Sequence, residues 1–371
     1  MEPMQIGQNQ TSRSPVETKG RQRPQKAEKK QGALIIIDSF HSSTEHGKMV
    51  EATALAMGPT GAIHRYNHLQ EQEGKATSPI HSAFLKMAEP MTGSLLPAAE
   101  AKKQFEQFLN DSVSGLLDHT TSILQQVTRD GFEDSVANLS QGMSVIEYLV
   151  ASKQPLGDKS LGEREKLNYI NNLYSAVVPQ GVDQPGPAEF DNLLLQKIKS
   201  VLKESPRIQE SKNRWREQVK EFESGNNSLV IAAGNAGEIM STLLKGSFDT
   251  DGSEDENVLS TPEATMVAAT ATTEDGRIFL AGPSSYGPEV DFIASGFHGE
   301  HFGSSFAGPK VAAAMLALHV SNPGSDSESI EKATGDVLGQ KVEIRDHQVI
   351  ILNEPLTSKA LQQIADDAAA S

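Results

Sequence analysis

Ala33-Leu34-Ile35-Ile36-Ile37-Asp38 is where an ordered pattern begins in this sequence. A continuous aliphatic run of strand length, without alternation, suits a strand buried on both faces of a parallel sheet. Asp38 ends the run at the carboxyl edge, where open α/β sheets place their sites. Two other stretches have the same form. Val136-Ala137-Asn138-Leu139-Ser140-Gln141-Gly142 runs into a glycine, and Ser228-Leu229-Val230-Ile231-Ala232-Ala233-Gly234-Asn235 ends on a polar residue. Residues 62–66, 265–271 and 289–294 read as further strands. Periodic apolar positions between them predict helices. One opens at His46, with Met49, Val50, Thr53 and Met57 on one face. A long one covers 99–128, with Phe105, Phe108, Leu109, Val113, Leu116, Leu117, Leu124 and Val127 as its stripe. Others lie at about 144–152, 162–176 and 188–204, and one passes through Trp215 and Val219. Residues 70–98 read as loop, punctuated by Gly74, Pro79, Pro90, Gly93 and Pro97. Strands alternating with helices predict an α/β fold of three layers around a doubly wound, mostly parallel sheet.

Composition narrows the classes of function. At 371 residues and 37% hydrophobic content, the chain can bury one large core. No apolar run approaches the roughly 18–20 residues that cross a bilayer, and the N-terminus has no apolar signal core. There is no Cys, which excludes disulfides, Cys-ligated zinc and a cysteine nucleophile. Residues 1–31 carry seven Lys/Arg against three acids, a net of +4 against a formal total of −16, so the body carries −20. That stretch is rich in Gln, Pro, Ser and Lys and reads as a disordered basic tail before a body of 32–371. An acidic body argues against nucleic acid as a partner, and no membrane partner is expected.

Gly303-Ser304-Ser305-Phe306-Ala307-Gly308-Pro309 reads as a glycine-rich turn delivering a serine to the start of a buried helix. Pro309 suits a first helical turn. Val311, Ala312, Met315 and Leu318 share a face, and the intervening alanines allow close approach to neighbours. A hydroxyl at a helix N-terminus sits in positive potential, which favours negative charge at a reacting centre. Taken alone, such a Ser is more often a helix cap, Asp38 a turn residue, His46 a helix-start histidine and Asn235 a turn Asn. Together they have the types of a nucleophilic site. Strand C-termini and helix N-termini share one edge of a doubly wound sheet, so these residues can converge there. Ser305 would attack a carbonyl, His46 take its proton and Asp38 orient the imidazole. Asn235 and the Ser305 N–H would donate to the oxyanion.

The order Asp, His, Ser, with these local words, resembles the subtilisin-like serine proteases, the subtilases. Leu34-Ile35-Ile36-Ile37-Asp38-Ser39 is similar to their aspartate strand, and His46-Gly47-Lys48-Met49-Val50 to their histidine helix. Ala232-Ala233-Gly234-Asn235 is similar to their oxyanion asparagine. Gly303-Ser304-Ser305-Phe306-Ala307-Gly308-Pro309 is similar to their nucleophile turn, which singles out Ser305 over Ser304. Asn138-Leu139-Ser140-Gln141-Gly142 resembles the segment lining their cleft, and 282–296 has their strand-and-turn character. The resemblance covers 33–70, 105–142, 210–237 and 258–320. It implies a subtilisin-like fold and a serine endopeptidase with Asp38, His46 and Ser305 as triad and Asn235 as oxyanion donor. Ser140, Gln141, Gly142, Ala233 and Gly234 would line the substrate cleft.

The chain also departs from that pattern. Lys48 and Met49 stand where a second His and a small residue are usual, and Ser304 and Phe306 replace Thr and Met. The spacing from Asp38 to His46 is short, so loops that shape the far cleft or hold calcium are missing. The spacing from Ser140 to Asn235 is long. The extra residues, roughly 150–208, are expected to form a helical insertion that caps the cleft and narrows what enters. The first 31 residues leave no room for a large pro-domain.

Other features weigh less. His41 competes with His46 but lacks the following Gly and the packed helix. His298 and His301 do not have the helical zinc spacing and read as loop or cleft wall. The acidic run 249–256 has its Gly too early for an EF-hand loop and suits a solvated surface; no cofactor is required, and structural calcium stays open. The expected partner is a protein or peptide substrate, with an inhibitor protein an open question. The expected compartment is cytoplasmic, with leaderless export as the alternative. Two other functions fit the same fold: a catalytically silent scaffold that binds a peptide or partner protein, and a narrow maturation protease.

Overall fold

The computed structural model describes residues 30–40, 45–58, 61–68, 70–72, 75–77, 79–141, 143–181, 185–236, 257–272, 278–280, 284–344 and 347–352. Its centre is a sheet whose main strands we label β1 (Leu34–Asp38), β2 (Ile63–Asn67), β3 (Val136–Leu139), β4 (Ser228–Ala232), β5 (Thr265–Thr272), β6 (Phe292–Ser295), β7 (Gly339–Ile344) and β8 (His347–Leu352). Their order across the sheet is β7-β8-β6-β5-β4-β3-β1-β2. All neighbours are parallel except the β7–β8 hairpin, and Ile278–Leu280 pairs antiparallel to β5. The helices are α1 (His46–Ala56), α2 (Pro79–Gly93), α3 (Ala98–Arg129), α4 (Val145–Gly157), α5 (Glu163–Val177), α6 (Pro187–Glu204), α7 (Pro206–Glu223), α8 (Ser304–Ser321) and α9 (Ser327–Leu338).

The inner strands β1, β3 and β4 are mostly aliphatic because both of their faces are covered. Leu34, Ile36, Val136, Val230, Val267 and Phe292 pack under α1, α8 and α9. Ile35, Ile37, Ala137, Leu139, Leu229, Ile231, Met266 and Ile293 pack under the layer built from α2 to α7. The two-residue period of a strand sends neighbours to opposite cores, so a run must be apolar at every position. This is the expected three-layer, doubly wound α/β architecture. Helix α8 is buried on every side from Ser304 to His319, so it has no polar face, and its small residues admit the sheet closely.

Winding reverses between β1 and β3. From β1 the chain crosses to β2 on one flank, then returns to β3 on the other and continues through β4, β5 and β6. The carboxyl ends of β1 and β3 therefore border the switch point, where a doubly wound sheet leaves a crevice.

Two expectations change. The stretch 70–98 is not loop: Gln70–Gln72 and Lys75–Thr77 form a hairpin, and α2 runs from Pro79 to Gly93. Pro79 opens that helix, where no amide donor is needed, and Pro90 sits inside it near its end. Lys30 and Gln31, assigned to the tail, pair in parallel with Phe132 and Glu133; the rest of the tail lies outside the described residues. The stretch 150–208, expected as a helical insertion, is helical: it holds the body of α4, with α5 and α6. With α7 it packs mainly against α2 and α3, as part of the layer on one sheet face.

The amino edge of the sheet carries half-buried carboxylates. Burial, with the Glu331 charge nearby, raises Asp291 to about 7. Burial raises Glu223 to about 8 against an opposing hydrogen bond to Ser327, and also raises Glu331. An acid whose folded pKa lies above its unfolded value binds more protons when folded, so its stabilising effect is lost as pH rises through the folded value. Melting temperature, measured in an inactive variant, is expected to fall from about pH 4.5, the unfolded value, up to about pH 8, the folded value of Glu223, and to level off beyond it. Glu223→Gln should flatten that slope, raising the melting point at pH 8.5 by about 1–2 °C per kcal/mol recovered in a chain of this size. An unchanged slope in Glu223→Gln would count against this assignment.

Candidate active site

Each implicated side chain stands where a strand ends or a helix begins. Asp38 is the last residue of β1, Ser140 follows β3, and Asn235 follows β4 by three residues. His46 is the first residue of α1, and Ser305 the second of α8. The parallel register carries all of these positions to the carboxyl edge of the sheet, beside the switch point.

Asp38, His46 and Ser305 meet. His46 Nδ1 lies 2.8 Å from Asp38 Oδ1, and His46 Nε2 lies 3.1 Å from Ser305 Oγ. With the Nδ1 proton donated to the carboxylate, Nε2 is left as acceptor for the serine hydroxyl. The Asp38 side chain is 5% exposed and that of His46 36%, so the carboxylate is sealed while the imidazole is reachable. The Asp38 hydrogen bond and charge raise the His46 pKa above its ordinary value, with burial pulling the other way. Asp38 Oδ1 also accepts from the Ser39 N–H at 2.5 Å and the Ser39 hydroxyl at 3.2 Å. Phe306 backs the imidazole with ring centroids 5.4 Å apart.

Asn235 is exposed and held from two sides. Its backbone N–H donates to Glu147 Oε1 at 3.2 Å, and its side-chain oxygen accepts from the Ser304 N–H at 2.8 Å and Ser304 Oγ at 3.2 Å. An N–H can only donate, so the amide end facing Ser304 is the oxygen, and Nδ2 is the end left to serve a ligand. A Cβ at Gly303 would lie 3.2 Å from Ser305 Oγ and 3.3 Å from Asn235 Nδ2, so both atoms border the same small space. Gly234, at φ +109, makes the turn before Asn235.

The cleft residues separate by role. Ser140 and Gln141 line a pocket of about 150 Å³ with Asp38, Ser39, His46 and His68. Ala233 is buried and its N–H donates to Val267 O. The Gly234 carbonyl accepts from Ser304 Oγ and the Ser285 N–H. These two therefore support the Asn235 turn. Gly142, His41 and the acidic run 249–256 lie outside the described residues. His298 and His301 sit on a short hairpin against Phe306, and His298 Nδ1 lies 2.8 Å from Thr53 Oγ1. Among the described residues, no cluster of three or more His, Asp or Glu could hold a metal ion. None of the described helices is long and apolar enough to cross a membrane.

Three contributors escape a reading of sequence alone. Ser304 orients the Asn235 amide. Glu147 spans α4 and the Asn235 turn while closing a capping box with Ser144. His68, after β2, lies against Asp38. Only the Ser144-to-Glu147 spacing leaves a signal in sequence, that of a helix start.

No family model matches the chain, and no curated protein matches it. Among solved structures, a lanthipeptide protease is similar at 11% identity and a TM-score of 0.45, covering 89% of this chain and 88% of that one. A cold-adapted subtilisin-like serine proteinase is similar at 12% identity and a TM-score of 0.39, covering 87% and 89%. A similarity of fold leaves the chemistry to be argued from the site itself.

Proposed function

We propose that the chain is a serine endopeptidase of the subtilase type. The observation that carries this reading is the unbroken run from Asp38 Oδ1 through the His46 ring to Ser305 Oγ. As peptide binds, Ser305 Oγ attacks the scissile carbonyl carbon and its proton passes to His46 Nε2. Asp38 stabilises the imidazolium through Nδ1. The oxyanion that forms takes hydrogen bonds from Asn235 Nδ2 and the Ser305 N–H at the first turn of α8. Collapse breaks the C–N bond, and His46 returns the proton to the departing amine. Water then attacks the acyl-Ser305 ester by the reverse proton path, releasing the acid and restoring the hydroxyl.

A fluorophosphonate probe reports an activated serine directly. Labelling of the wild-type chain at Ser305, lost in His46→Ala, is the expected result. A folded wild-type chain that takes no label would favour the silent scaffold. Asn235→Ala tests the oxyanion donor. It should lower kcat by about 100-fold to 1000-fold with little change in KM, because the amide serves the transition state more than the bound substrate. A change confined to KM would assign Asn235 to substrate binding.

A further inference from the structure

The Asp38 carboxylate is unevenly served. Oδ1 takes three hydrogen bonds, from His46, the Ser39 N–H and the Ser39 hydroxyl. Oδ2 is buried and has no partner among the described residues. A buried carboxylate oxygen left bare is costly, and such atoms nearly always have a protein or water partner. His68 stands beside it. It is 3% exposed, its N–H donates to the Asp38 carbonyl at 2.8 Å, and its Nε2 is likewise buried without a partner among the described residues. Gln141 Oε1 is a third such atom. All three residues line the pocket of about 150 Å³ next to His46. A polar space of that size, with two to four groups facing it, is what ordered solvent requires.

We propose that His68 is a positioning residue for the Asp38 carboxylate, its Nε2–H donating to Oδ2 through solvent held in this pocket. Two observations beyond the pocket support the role. Burial and the neighbouring His119 lower the His68 pKa to about 4, against the pull of Asp38, so the ring is neutral at working pH. It thus supplies a donor without a charge that would compete with His46 for the carboxylate. His119 holds the ring from the other side, its Nε2 2.5 Å from the His68 carbonyl and its ring edge-on with centroids 5.4 Å apart. Among the described residues, the titratable groups that face His68 are Asp38 from β1 and His119 from α3. With the extra donor in place, part of the carboxylate charge is satisfied away from His46. Removing it leaves the imidazolium with a larger share, so the His46 pKa climbs further.

The inference rests on the triad geometry beneath the proposed function, and its readout is independent of turnover. The test is an NMR titration of the His46 ring in Ser305→Ala, with His68 as wild type, Phe or Gln. His68→Phe should raise the His46 pKa by roughly half a unit to one unit, the size of a single hydrogen bond to the carboxylate. His68→Gln, which keeps an N–H donor, should restore most of the original value. With Ser305 intact, the acid limb of kcat/KM should move by the same amount. A merely structural role would lower the melting temperature and leave the His46 titration in place. Should His68→Phe fail to fold, the unsubstituted His68 ring decides the matter: ¹⁵N shifts must show a proton on Nε2, and a bare Nε2 overturns the proposal. A folded His68→Phe with an unmoved His46 overturns it as well. An inactive wild-type chain whose His46 still shifts would sink the hydrolase reading and leave this one standing.

Discussion

Ser305→Ala is expected to abolish measurable peptide hydrolysis, lowering kcat by on the order of 10⁶-fold, while the chain folds as before. The reason is local. The hydroxyl is the only part of Ser305 in the hydrogen-bond run, and Ala keeps the backbone N–H at the first turn of α8. Binding surface and oxyanion donors therefore survive, and they should leave a residual acceleration of about 10³–10⁴ over water. Single-turnover assays on a fluorogenic peptide, with the melting temperature as a control on folding, would measure both. If the variant kept more than about a thousandth of the activity, another nucleophile would have to be found, and Ser305 would revert to a helix-start residue.

Asp38→Asn is the second large effect, a loss of about 10⁴-fold in kcat with the site geometry nearly unchanged. The amide is nearly isosteric with the carboxylate but carries no charge. Facing His46 with its NH₂, it selects the wrong tautomer and leaves Nε2 protonated against Ser305. Facing His46 with its oxygen, it keeps the tautomer and gives up the charge that stabilises the imidazolium. The pH profile carries the sign. In the wild-type chain the Asp38 hydrogen bond and charge both raise the His46 pKa and burial lowers it, so the acid limb lies above about 6.5. With the charge removed, burial is the main influence left, and the limb should move below that value. A limb that stays put in Asp38→Asn would mean that another group controls the rate.

The contacts around Asn235 give these effects a structural setting. Its oxygen is fixed by Ser304 on α8, and its backbone by Glu147 on α4. The Asn235 turn is thus clamped between α8 and α4. Glu147 stands at the start of α4, just before the stretch 150–208, whose later helices pack mainly on α2 and α3. Any narrowing of specificity by the insertion would have to pass through α4 or through the loops at its ends.

Much of this arrangement was legible in the residues alone. Aliphatic runs at 33–37 and 229–233, and one at 136–139 broken only by Asn138, identify strands buried on both faces, because such strands lack alternation. The polar residue that ends each run is already a candidate, since a polar side chain inside that core needs a partner, as buried Asn138 has in Ser140. The stretch 70–98 was not legible. Its prolines and glycines read as breaks, yet Pro79 is compatible with a helix start, and the apolar side of α2 becomes meaningful only against α3. Strands β7 and β8 gave no warning either, since β8 joins the sheet beside β6 from far along the chain and β7 joins only through β8.

The linear order of residues was enough to determine the layered α/β class, the edge at which a site must lie, and Asp38, His46, Asn235 and Ser305 as its candidates. Those facts depend on periodicity and on residue type at element ends, both of which are local. Tertiary structure alone decided that Asp38, His46 and Ser305 share hydrogen-bonding range, that Ser304 turns the Asn235 amide, that Glu147 anchors the same turn, and that His68 shares a pocket with Asp38. The physical reason is distance along the chain. Apart from Asp38 and His46, which are 8 positions apart, each of those contacts joins residues tens to hundreds of positions apart, and no local preference encodes a hydrogen bond whose two ends arrive on different strands and helices.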